Sequence, residues 1–434
     1  MKWRERADKR AVEAVIATFC DSAEYAAECL AAVDLHAWEK SYHWLDASGM
    51  ALYFLDRIQA LDLEGKIPSL TLKRLRQNLT DNRMRDSSMF AEFCSLNQAF
   101  QAAGVEYANE KGFTLTPESC PNSSLRTQLD FDFLVNRRDL ELCREELINA
   151  GYVLTQATST EWKFATGASE LARMEDFYKP RPQRSVELHF TCSDADPDTP
   201  TRDERLDRLI LRAWSNHRFP VLSPADQLIA QALHLLRHLR SPSTRPAWLL
   251  EYQWHISARF RDGRFWDEVR ELSQAAPEAP LAIGLAMLLC TRLFGGKAPA
   301  QLNEWTLERL PASIRLWADL YGRKAVLADV PGTKLHRFLE NEMVRGEHSA
   351  PIQRPSLAQL YRVTQVCYAA PEDGLRKRLR QNYYQARYIL FRLRFHAVEG
   401  FRHAIENARW KHHLNNLIPP APARSTRHDS LLGR

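Results

Sequence analysis

The stretch LDFDFLV, residues 129–135, decides how this chain is read. In a strand, period-two alternation puts Asp130 and Asp132 on one face and Leu129, Phe131 and Phe133 on the other, so one face belongs to a core and the other is acidic. A second stretch, SVELHF (185–190), alternates the same way, with Glu187 and His189 on one face and Val186, Leu188 and Phe190 opposite. If the two strands are neighbours, three carboxylates converge. Such a set suits hard divalent ions, which take oxygen ligands and keep open positions for triphosphate and water, as in two-metal phosphoryl transfer. The plainer alternative leaves Asp130 and Asp132 facing water on an edge strand and pairs Glu187 with an arginine of the KPRPQR turn (179–184).

The neighbouring residues favour the first alternative. Upstream, the strand-like VEYANE (105–110) runs into Lys111 and Gly112. A glycine at a strand-to-helix turn lets backbone N–H groups approach phosphate, and a lysine beside it adds a point charge. Arg126, four residues before Asp130, is placed to hold another phosphate oxygen. Downstream, RRDLELCREELINAG (137–151) reads as a helix closed by Gly151, while YVLTQ, EWKFA and MEDFYK read as further short strands.

Helical spacing fills most of the remainder. Before residue 100 it appears in RAVEAVIATFC, SAEYAAECLAAV, ALYFLDRIQALDL and SSMFAEFCSLNQAFQAAG, with KIPSLTLKRLRQNLTDNRMRD as a loop and a charged helix. After residue 200 it appears in RDERLDRLILRAW, then in SPADQLIAQALHLLRHLR, where Ser223 caps the helix and Pro224 opens it. The fold class expected is α+β. A small mixed-sheet core, roughly 100–192, is embedded in a helical region 1–99, a helical region 193–310 packed on the core, a basic helical region 311–418 and a flexible tail 419–434.

Composition sets outer limits. With 434 residues, 45% hydrophobic and 26% charged, and with 16 Gly and 22 Pro, the chain is an ordinary folded protein, neither disordered nor collagen-like. No apolar run reaches the ~20 residues of a spanning helix, and MKWRERADKR leads into no signal-peptide core, so the expected compartment is the cytoplasm. Eight cysteines without a CxxC spacing argue against a disulfide framework or zinc ribbon and read as buried thiols.

The net charge of +5 is unevenly spread: residues 374–434 hold 13 Lys and Arg against 3 Asp and Glu, leaving 46 against 51 in the rest. The basic end, LRKRLRQNYYQARYILFRLRFHAVEGFRHAIENARWKHHL, interleaves arginines with aromatic residues. Three readings stay open: a packed helix with snorkelling arginines, an RNA-binding surface, or attachment to an anionic membrane surface.

His234 and His238 stand i, i+4 on one helix face, a zinc-compatible spacing. No glutamate follows the first and no third ligand is evident, so they read as a structural or substrate-facing pair. His189 shares the acidic face, placed to orient a carboxylate or contact a nucleotide.

In this order, KGFTL, LRTQLDFDFLV, INAGY, SVELHF and VLSPADQLIAQALHLLRH resemble an uncharacterised bacterial nucleotidyltransferase family of the DNA polymerase β-like superfamily, which also includes abortive-infection and related toxin nucleotidyltransferases. The resemblance covers about residues 85–260 and rests on five motifs in sequence. It implies a nucleotidyltransferase-type core, with Asp130 and Asp132 as the metal-binding pair, Glu187 as the third carboxylate and two Mg²⁺ or Mn²⁺ ions. Lys111 and Gly112 occupy the place of the superfamily's Gly-Ser turn, and Arg126 matches the family arginine. The implied activity moves a nucleoside monophosphate from an NTP to a small molecule, a peptide or protein, or RNA. The alternative is a degenerate member that binds RNA or an anionic surface through its basic C-terminal helices. Two departures stand out: the Lys-Gly turn lacks the serine hydroxyl, and Glu251 stands where many relatives carry an aspartate.

Overall fold

The computed structural model describes residues 6–20, 22–166, 176–180, 184–191, 202–214, 216–242, 244–329, 332–346 and 374–417. Met174 and Glu175 of the MEDFYK stretch, Cys192, Cys367, residues 355–373 of the basic region and the 419–434 tail lie outside the described residues. The chain divides into two units, Met1–Leu310 with Leu320–Gly332, and Pro311–Asp319 with Thr333–Arg434.

In the first unit, helices α1 (Lys9–Ala17), α2 (Ala23–Ala31), α3 (Leu35–Ala47) and α4 (Met50–Ala60) precede a long helix, α5 (Ser69–Ala102). The loop and two helices expected here are in fact one loop and one helix, because no glycine or proline interrupts Ser69–Ala102. Among the described residues seven strands follow: β1 (Tyr107–Glu110), β2 (Asp130–Val135), β3 (Val153–Ala157), β4 (Glu161–Ala165), β5 (Ser185–His189), β6 (Ile210–Trp214) and β7 (His217–Val221), with α6 (Leu140–Asn149) between β2 and β3. They form one mixed sheet in the order β3-β4-β5-β2-β1-β7-β6. β2 is parallel to β5 and β1 to β7, and the other neighbours are antiparallel.

Two strands depart from the sequence reading. RDERLDRLILRAW, spaced like a helix, is a 3₁₀ turn at Glu204–Arg208 followed by β6, which pairs with β7. Pairing with β7 overrides the local spacing, and because β6 is a sheet edge, Leu211 can remain 67% exposed. The sheet therefore reaches beyond residue 192. Asp176–Lys179 of MEDFYK form no strand.

One sheet face carries the core. Phe131, Phe133, Val135, Val186 and Leu188 pack with Met89, Phe93, Leu96 and Phe100 of α5 and with Leu140, Cys143 and Leu147 of α6. The Phe100 and Phe133 rings meet edge to face at 5.1 Å. Covering this face with α5 and α6 leaves the opposite face, with Asp130, Asp132, Glu187 and His189, for chemistry. Helices α7 (Pro224–Leu239), α8 (Pro246–Ala258), α9 (Gly263–Ser273) and α10 (Ala279–Phe294) follow the sheet, and Ser223 caps α7 by accepting from the Asp226 N–H. Cys94, Cys120, Cys143 and Cys290 are buried as expected, whereas Cys20 and Cys29 are half-buried near helix ends.

In the second unit the helix Leu375–Leu417 buries Trp410 and Leu414, and Phe338 stacks on His403 and Trp410 at 4.6 and 5.6 Å. Buried Glu399 accepts from the Thr333 hydroxyl at 2.8 Å. Leu375, Leu390, Leu393 and Phe401 are exposed, so packing accounts for the Trp410 end of the basic helix and not for its start. Among the described residues, no helix is long and apolar enough to cross a membrane.

Phe133→Ala is expected to cost about 3–5 kcal/mol in guanidinium unfolding, whereas Leu211→Ala on the edge strand changes stability by less than about 0.5 kcal/mol. Equal losses would show that α5 does not anchor the sheet.

Candidate active site

Strand register builds a polar row across four neighbouring strands. Lys163 of β4 lies opposite Glu187 of β5, Glu187 opposite Asp132 of β2, and Asp132 opposite Glu110 of β1. On one side of that row Glu161 lies opposite His189, and on the other side Asp130 lies opposite Ser185. Directly paired residues share a face with their Cβ atoms about 4.5–5.5 Å apart, so the side chains have no choice but to meet. One ligating atom each from Asp132, Glu187 and His189 falls within a 4.8 Å span, and among the described residues this is the one such cluster of potential metal ligands. Asp130, two residues along the same face, stands outside that trio.

The cluster is held by counter-charges. Lys111 Nζ donates to Asp132 Oδ1 at 2.6 Å, and His189 Nε2 lies 3.0 Å from the same oxygen. Lys163 Nζ donates to Glu187 Oε1 at 2.6 Å and lies 3.1 Å from Glu161. Burial opposes ionisation of Asp132, yet Lys111 and His189 together hold its carboxyl below the usual range. Asp130 goes the other way: burial first, then the charges of Asp132 and Glu187, push it up to about 6. Burial disfavours the charged forms of Lys111 and His189, but Asp132 outweighs it and raises both.

The turn after β1 is unusual in its backbone. Lys111 holds φ 52° and ψ −156°, a region essentially reserved to glycine that costs about 1–3 kcal/mol. Gly112 follows at φ 53°, and a Cβ there would lie 2.5 Å from Gln128 Nε2. The 3₁₀ turn Gly112–Leu115 is tied to α7, because Gln227 Nε2 donates to the Thr114 carbonyl at 2.9 Å. A cleft partly open to solvent is lined by Lys111, Arg126, Gln231, His234, Trp248 and Glu251.

Arg126, expected to hold a phosphate oxygen, lines this cleft with its Nε donating to Glu251 Oε1 at 3.0 Å. Tyr53 of α4 donates to the same carboxylate oxygen at 2.8 Å. Glu251 thus acquires a structural partner on each side. His234 and His238 both abut the Trp248 ring, at 4.7 and 4.4 Å between centroids. Burial, followed by nearby cations, lowers His238 to about 4 and His234 well below its ordinary value, so both imidazoles are neutral at pH 7.

Sequence reasoning missed Lys163, Glu161, Glu110 and Trp248. EWKFA did carry the signal: alternation places Glu161 and Lys163 on one face against Trp162 and Phe164. What it lacked was the knowledge that β4 flanks β5. Of the two arginines of the KPRPQR turn, Arg184 pairs with Glu92 and donates to Ser88 Oγ at 2.8 Å, and Arg181 lies outside the described residues.

A mixed sheet with an acidic row on its open face and a Lys-Gly turn beside it defines a nucleotidyltransferase-type core. Residues 34–295, more than half of the chain, match the family described as uncharacterised nucleotidyltransferase, and the chain belongs to that family. Among solved structures it is similar to an antigenic nucleotidyltransferase-like protein from Paracoccidioides brasiliensis, at 14% identity over 48% of this chain and 93% of that one, with a TM-score of 0.28. No curated protein matches the chain.

Two outcomes follow from the site's energetics. Lys111→Gly should be more stable than Lys111→Ala by about 1–2 kcal/mol in urea unfolding, since both lose the ammonium and only alanine keeps the strained backbone. Equal stabilities would mean that the turn relaxes. The Asp130 carboxyl titrates near 6 when folded against an ordinary 3.8, so the stability it lends at low pH is lost as pH rises through about 6. In chelator, Asp130→Asn should therefore exceed the wild type by about 1–3 kcal/mol at pH 8 and match it near pH 4. A gap independent of pH would assign the effect to packing.

Proposed function

We propose that this chain transfers a nucleoside monophosphate from a nucleoside triphosphate to an acceptor hydroxyl or phosphate, on a core of the DNA polymerase β-like type. The observation that carries this reading is the β2–β5 register, which stacks Asp132 against Glu187 with Asp130 alongside, next to the Lys-Gly turn.

The donor set fits hard divalent ions: the carboxylates of Asp132 and Glu187 with the His189 imidazole, and Asp130 two residues along the same face, suit Mg²⁺ or Mn²⁺ better than a thiolate-seeking metal. Asp130 and Asp132 would hold both ions and Glu187 the second, and bound there the ions supply charge neutralisation at the triphosphate and acidify the acceptor hydroxyl. The remaining work falls to side chains. Lys111 and Arg126 bind phosphate oxygens, with Arg126 aimed by Glu251 and Tyr53. A Glu187 carboxylate oxygen takes the acceptor proton as the acceptor oxygen attacks the α-phosphorus. The bond from that phosphorus to the bridging oxygen breaks, and its electron pair leaves with pyrophosphate. Trp248 and neutral His234 give the cleft a flat, uncharged wall suited to a base. Catalysis is then positioning plus charge stabilisation.

The test incubates purified protein with each α-labelled NTP, Mg²⁺ or Mn²⁺ and cell extract, and identifies what becomes labelled. Replacing Asp130 and Asp132 together by Asn should cut labelling by about 100-fold or more while the protein still folds, and Trp248→Ala should weaken nucleotide binding. Full biological activity in the Asn double variant would end the catalytic reading in favour of a binding protein.

A further inference from the structure

The proposed transferase site has a second lysine that the family motifs do not mention. Lys163 lies on the opposite flank of the carboxylates from Lys111: one ammonium enters from β4, the other from the turn after β1. The two differ in freedom. Lys111 springs from a constrained turn backbone, whereas Lys163 sits in a regular strand on a flexible four-carbon stem, with 34% of its side chain exposed. Its partner Glu187 is only 16% exposed. Lys163 also has a standing second partner, since Glu161 on its own strand is 3.1 Å away while Glu187 is at 2.6 Å. It can leave Glu187 without becoming an unpaired cation.

Glu187 cannot serve two cations equally. A divalent ion on that carboxylate competes with the ammonium for the same oxygens, and once the ion is seated, repulsion drives Lys163 outward along the sheet face. There the nearest new anion is the triphosphate that the ion also binds. We infer that Lys163 is a phosphate-binding residue that exchanges partners: it neutralises Glu187 in the ion-free protein and moves to the triphosphate, or to the departing pyrophosphate, when an ion takes Glu187. This inference rests on the transferase reading of the site. Its consequence is coupling. Ion alone leaves Lys163 with Glu161 as its single carboxylate partner, whereas ion with triphosphate gives Lys163 a second anion in place of Glu187, so each ligand raises the affinity of the other by the same factor.

The test is Mn²⁺ binding, followed by electron paramagnetic resonance of the free ion, with and without a non-hydrolysable α,β-methylene NTP. In the wild type the analogue should raise Mn²⁺ affinity by about 10-fold. Lys163→Met, which keeps the stem and removes the charge, should bind Mn²⁺ alone about 10-fold more tightly than the wild type and show a coupling below about 3-fold. Lys163→Arg should stay close to the wild type, and a melting curve in chelator establishes that both variants fold. Unchanged Mn²⁺ affinity in Lys163→Met, or unchanged coupling, overturns the inference. If the wild type labels an acceptor while coupling ignores Lys163, the exchange is wrong and the transferase stands. If coupling depends on Lys163 but nothing is labelled by any NTP, the transferase reading falls and the exchange stands. Absence of Mn²⁺ binding in the wild type overturns both.

Discussion

Parallel pairing of β2 with β5, which sets Asp132 beside Glu187, is the constraint from which the rest of the first unit follows. A slip of one residue would turn each side chain of one strand to the other face. The acids of β2 or β5 would then meet Phe93 and Phe100 of α5, and the phenylalanines or Val186 and Leu188 would face water. The core therefore enforces the register, and the register delivers the carboxylates. No side chain at the site has to stabilise its own position, because the penalty for misplacing it falls on buried apolar residues.

That arrangement concentrates negative charge. Glu110, Asp130, Asp132, Glu161 and Glu187 share one sheet face, against Lys111, Lys163 and, on Glu110, Arg205 at 3.0 Å. The cost shows in Asp130, the carboxyl without its own lysine, whose ionisation is pushed up to about 6. It shows again in Lys111, held in a backbone conformation suited to glycine so that its ammonium reaches Asp132. Strain and unfavourable charge gathered at one spot mark a place shaped by function more than by stability.

The sequence revealed faces but not neighbours. Alternation in LDFDFLV and SVELHF is local, so the acidic face and the core face were both legible, as were α6 and the capped start of α7. Lys163 was not assigned, because its meaning depends on β4 lying against β5 in one register, a fact of tertiary structure. β6 and β7 escaped because an edge hairpin need not alternate. Glu251 could be noticed as a departure but not interpreted, since its partners Arg126 and Tyr53 are 125 and 198 positions away.

The same long-range contacts explain why a sheet of this type does not make the site unaided. Arg126 is half-buried, and an isolated guanidinium in that position would be costly; Glu251 supplies the compensating charge from α8. Glu251 is itself buried, and its oxygen is shared with the Tyr53 hydroxyl of α4, whose ring meets Trp254 edge to face at 4.9 Å. The tyrosine oxygen also lies 3.3 Å from the sulfur of Cys120, in the loop that follows the Lys-Gly turn. One buried chain of polar contacts thus joins an N-terminal helix, a helix after the sheet and the loop between β1 and β2. Removing Glu251 takes from Arg126 and the Tyr53 hydroxyl the carboxylate they share, and a buried polar group that loses its partner is costly. The helices around the core are therefore part of the cleft's electrostatics: α4 and α8 fix the direction of Arg126, while the sheet fixes only the carboxylates it faces.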